Sequence, residues 1–75
     1  MSELNTISAN REMDYYDKIE IHKAAFHGED LFKSYLTLLM AITDDTELSL
    51  FATKDLIQAI AKEMEGIQIK NDNYK

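Results

Sequence analysis

Leu31-Phe32-Lys33-Ser34-Tyr35-Leu36-Thr37-Leu38-Leu39-Met40-Ala41-Ile42 carries the strongest pattern in the sequence. Stepped at about 100° per residue, Leu31, Phe32, Tyr35, Leu36, Leu38, Leu39 and Ile42 fall within an arc of roughly 160°. Lys33, Ser34, Thr37 and Ala41 occupy the other side, with Met40 at the boundary. A stripe of that width is more than one neighbouring helix can cover. The segment is therefore expected to be a core helix with at least two partners.

The flanks set the ends of this helix. Glu29 and Asp30 precede it, acidic at the positive end of the helix dipole. Asp44-Asp45-Thr46-Glu47 follows as a polar break, so the helix is predicted over 29–43. Upstream, Asn10 or Ser8 can cap a helix over 11–26, with Glu12 and Asp14 in its first turn and Gly28 available for a left-handed C-terminal cap. Its apolar residues form two groups: Tyr15, Tyr16, Ile19 and Phe26 together, and Met13, Ile21, Ala24 and Ala25 on another side. A helix contacted on two faces is expected to be sandwiched, inside its own subunit or between subunits. Lys18 to His22 also alternates as a short strand would, over too few residues to outweigh the helical pattern.

Downstream, Asp44 with Glu47 three residues on resembles a capping box. From Lys54 the stripe is clean. Leu56, Ile57, Ile60, Met64 and Ile67 cluster, opposed by Lys54, Gln58, Lys62 and Glu65. Extended backwards, the same wheel puts Leu48 and Phe51 on or near the polar side. That mismatch predicts a short helical turn over 46–51 and a separate helix over 53–65 capped by Thr53, or else a Phe51 that faces a different partner. Gly66 is expected to end the helix. Residues 1–9 show no sustained period and are expected to form a flexible arm, with 68–75 a flexible tail and 10–67 a single domain. The short connections predict antiparallel neighbours. The expected fold is all-α, a small three-helix domain whose core includes Leu31, Phe32, Tyr35, Leu36, Leu38, Leu39, Ile42, Leu56, Ile57, Ile60 and Met64.

The chain has 75 residues, no cysteine, no proline and two glycines. A core of this size supplies only about 3–5 kcal/mol, and small folds add disulfides, a metal or a second subunit. Without cysteine, self-association is the natural reinforcement, and a dimer is expected. Fourteen acidic against eight basic residues give a formal charge of −6, which disfavours direct binding to nucleic acid or to an anionic membrane surface. The longest apolar run, Leu38 to Ile42, is far too short to span a bilayer. Met1 to Leu4 lacks the features of a secretory signal, so a cytoplasmic location is expected.

Signs of chemistry are sparse. His22 and His27 are five apart, about 140° around a helix, and cannot chelate one ion from one helix face. Neither follows a glutamate at the Glu-x-x-His spacing of di-iron bundles. His27 reads as a helix-end residue and His22 as a surface or interface boundary. Asp44-Asp45 and Glu29-Asp30 read as helix-end acids, and Asp14 with Lys18 as a local ion pair. Ser2, Ser8, Ser34 and Ser49 have no nucleophile-elbow setting, and no glycine-rich loop can cradle phosphate. No catalytic, metal or cofactor residue is expected. Aromatic residues anchor both cores and interfaces. Tyr15, Tyr16, Ile19, Phe26 and Phe51 are the interface candidates.

The expected function is accordingly a small acidic protein–protein interaction or regulatory adaptor, self-associating through apolar helix faces and binding another protein. Two alternatives are an acidic inhibitor of phage or mobile-element type that mimics nucleic acid, and a structural subunit of a larger assembly.

Overall fold

A computed structural model describes residues 3–67, with side chains from Ile7 onward. Within them the chain forms three helices: α1 (Glu3–Ala25), α2 (Gly28–Asp44) and α3 (Leu50–Glu65). Each helix packs against both others, so the all-α three-helix architecture expected from the periodicity is the one observed. The tail expected over 68–75 lies outside the described residues.

The core explains why these elements assemble. Tyr15 and Ile19 of α1, Tyr35, Leu38 and Ile42 of α2, and Leu56 and Ile60 of α3 form one buried cluster. Their spacings of three, four and seven keep each set on one helix face. Leu31, Leu39, Leu48, Ile57, Met64 and Ile67 pack around it, partly buried. Ala52 is buried as well, where its small side chain lets the start of α3 approach its neighbours.

The α1–α2 connection is very short. Gly28 has φ 55°, the left-handed backbone that glycine adopts without a Cβ penalty, and the chain reverses there. His27, in extended conformation, precedes α2 without making a side-chain cap. Glu29 and Asp30 occupy the first turn and complement the dipole instead.

Several boundaries differ from expectation. Residues from Glu3 to Ala9 are helical, continuing α1 back from the predicted start at 11. Ser8 is buried, which ties this turn to the body of the fold. The third helix is not split: α3 runs unbroken from Leu50, and in place of a separate helical turn over 46–51 the chain makes one hydrogen-bonded turn, the Leu48 N–H donating to the Asp45 carbonyl at 3.4 Å. Thr53 is inside the helix, its hydroxyl donating to the Ser49 carbonyl at 2.9 Å. Ser49 is the cap, and its Oγ accepts from the Ala52 N–H at 3.1 Å. The Leu48–Phe51 mismatch arises because the chain enters the helix there, and Phe51 turns outward. Gly66 does end α3, but at φ −83°, so no left-handed cap is involved.

Leu36 departs from the predicted core. It is 43% exposed, because α1 and α3 cover only the central part of the α2 stripe. Phe32, also predicted core, is half-buried.

Candidate functional site

Two features stand out: a polar clamp at the α2–α3 junction, and the apolar surface that it leaves uncovered. The clamp begins with α1. Arg11, one turn before Tyr15, directs its guanidinium at Asp45 just after α2. Nε donates to both carboxylate oxygens, at 3.0 and 2.8 Å, and Nη2 stands 2.6 Å from Oδ2. Nη1 also reaches Glu47 at 3.1 Å. The Tyr15 hydroxyl donates to Asp45 Oδ2 at 2.9 Å and lies 3.4 Å from the Ala41 carbonyl. Asp45 in turn accepts the Glu47 N–H at 3.0 Å, the local turn that short acidic side chains favour. A second strut comes from buried Ser8, whose Oγ accepts the Ser49 N–H at 2.8 Å.

The electrostatics follow from these contacts. The Arg11 hydrogen bonds hold the Asp45 carboxyl below its ordinary value, with help from the Glu47 N–H and the Tyr15 hydroxyl. Burial, then the neighbouring carboxylate, pushes the Tyr15 hydroxyl up. Opposite charges and donors are thus matched with one another. The cluster ties α1 to the junction between α2 and α3.

Because α1 grips the Ala41–Asp45 flank of α2, the other flank is left free. Leu36 and Met40 lie there, one turn apart, about 100–140° around the helix from Ala41. Met40 is 68% exposed, and at the start of α3 Leu50 and Phe51 are 85% and 82% exposed. Leu50, Thr53, Lys54, Ile57 and Gln58 line a shallow groove on α3 that is mainly apolar. Apolar side chains this exposed are ordinary singly; here they recur on the outer side of α2 and at the start of α3.

The predicted interface residues separate in the structure. Tyr15 and Ile19 are buried in the chain's own core, since the face that groups them is the one α1 turns inward. Tyr16 and Phe26 are part-exposed and Phe51 is almost fully exposed. Tyr16 borders an α1–α3 groove with Asp55 and Lys62, where burial and then the Glu12 and Asp55 charges raise its hydroxyl. Phe26 lies at the far end of the bundle, beside His27 and Leu31. Tyr16 and Phe26 therefore line different grooves. Leu36 and Met40, which the sequence reading did not single out as an interface, lie on or beside a stripe too wide for one neighbouring helix to cover, and both are exposed.

The histidines are also apart in role. His27 is exposed at the α1–α2 turn. His22 packs edge-on against Phe26, with ring centroids 5.8 Å apart, and its buried Nδ1 has no hydrogen-bond partner among the described residues. Lys18, expected to pair with Asp14, instead places its ammonium 5.2 Å above the Tyr15 ring. Lys23 pairs with Glu63 at 3.5 Å, joining α1 to α3. Among the described residues no trio of acidic and histidine side chains is grouped to hold a metal ion, and no helix is long and apolar enough to cross a membrane. No family model matches the chain, and no curated protein and no solved structure matches it.

Proposed function

We propose that this protein works by binding rather than by catalysis, as a small helical interaction module that self-associates through the apolar face of α2 and α3 and presents an acidic body to another protein. The carrying observation is the exposure of Leu36 and Met40 on the outer side of α2 and of Leu50 at the start of α3, where α3 also carries an apolar groove. Covering it would remove large side chains from water at about 25 cal/mol per Å², a gain that matters for a domain this small. Among the groups with displaced titration, Arg11, Tyr15 and Asp45 face each other in the clamp, which supports a structural assignment for them. The regulatory or adaptor role follows from that binding character.

Light scattering on the full chain between about 1 and 100 µM tests the reading, with affinities in that range worth about 5–8 kcal/mol. The expected result is a mass approaching twice 8.7 kDa that returns to the monomer value in Leu36→Asp. The variant should keep its helical circular dichroism, because Leu36 is outside the core. A wild-type chain that stays monomeric throughout would overturn self-association.

A further inference from the structure

We infer that the occupant of the outer α2 face is α2 of a second copy, running antiparallel about a twofold axis at the level between Leu38 and Leu39. The inference rests on the self-association reading and gives it a geometry. Lys33 and Asp44 are both exposed, and among the described residues neither forms an ion pair. They are eleven residues apart, which is three turns and about 16 Å along the helix, so they share a face. Between them on that face come Leu36, Thr37 and Met40. The outer surface of α2 is therefore a short apolar centre with Lys33 at one end, one turn after the acidic first turn of Glu29 and Asp30, and Asp44 at the other.

Such a pattern is complementary to itself in one orientation. Antiparallel pairing about that axis sets Lys33 against Asp44 of the partner subunit at both ends, and Met40 and Leu36 against the partner's middle turns. Parallel pairing in register would set like charges together at both ends, which is unfavourable. A twofold contact of this kind uses one patch twice, as most small homodimers do. Glu47, which comes level with Asp30 of the partner subunit, is already drawn toward α1 by Arg11. The residues that would form the seam are spaced by three and four, as two helices packing at a shallow angle require.

Charge reversal on the full chain tests the arrangement. Lys33→Glu and Asp44→Lys each convert two attractive pairs of the dimer into two repulsive ones. Each is expected to weaken dimerisation about tenfold at low salt. The double variant carries reversed but matched pairs, and should return to within about threefold of the wild type. Sedimentation equilibrium reads all four constants, and circular dichroism checks that each chain is folded. Single variants that dimerise like the wild type, or a double variant weaker than either, would overturn the antiparallel α2 pairing while leaving self-association standing. A wild type that never dimerises would overturn both.

Discussion

Tyr35 sits at the centre of α2 with no exposed surface, and its hydroxyl is buried without a hydrogen-bond partner among the described residues. Burial raises its titration first, and the charges of Glu63 and Glu20 add to that. A phenol fills space here that Phe would fill nearly as well. The unpaired hydroxyl costs about 1–3 kcal/mol of desolvation. Tyr35→Phe is therefore expected to leave stability unchanged or raise it by up to about 1 kcal/mol, read as an unchanged or higher thermal midpoint. A clear fall in that midpoint would mean that the hydroxyl has a partner. Sequence pattern placed Tyr35 in the core from its position on the stripe, but a wheel carries no information on where a hydroxyl ends. The same holds for Arg11: its spacing said nothing of Asp45, 34 positions away.

At the scale of elements, the α2–α3 junction shows which local rules prevailed. Acidic residues after Thr43 correctly marked the end of α2, yet the cap of the next helix was Ser49 and not Asp44 or Thr53. Competing caps within a few residues look alike in sequence, and long-range contacts choose between them. Here Ser8 and Arg11, from α1, hold the junction so that Ser49 is in position. Asp45 is the keystone, and its role has a pH signature. The folded carboxyl titrates below its ordinary value of 3.8, so its contribution is complete above that value and is lost as pH falls through it. Asp45→Asn is expected to lower the thermal midpoint by about 4–8 °C at neutral pH, equivalent to about 1 kcal/mol. The gap between variant and wild type should close in acid, below the ordinary carboxylate range. A gap that persists there would show that Asp45 acts by shape and not by charge.

For the whole molecule, the apolar period alone was enough to give class, helix number and most of the core. It failed where one stripe had to be divided between interior and surface. Leu36 and Leu38 look equally apolar in sequence, but α1 and α3 bury only Leu38. A core of this size supplies only about 3–5 kcal/mol, and Leu56 is fully enclosed. Leu56→Ala is thus expected to remove about 2–5 kcal/mol, seen in urea titration as loss of a large part of the wild-type midpoint. A small change would mean that the core can collapse around the gap.

The clamp also bears on how the chain reaches this arrangement. The bend between the second and third helices is dictated by side chains from the first, 30 to 41 positions earlier. During synthesis that first segment leaves the ribosome before the bend exists, so its side chains are already at hand when the turning residues emerge. The third helix therefore takes its heading from the first.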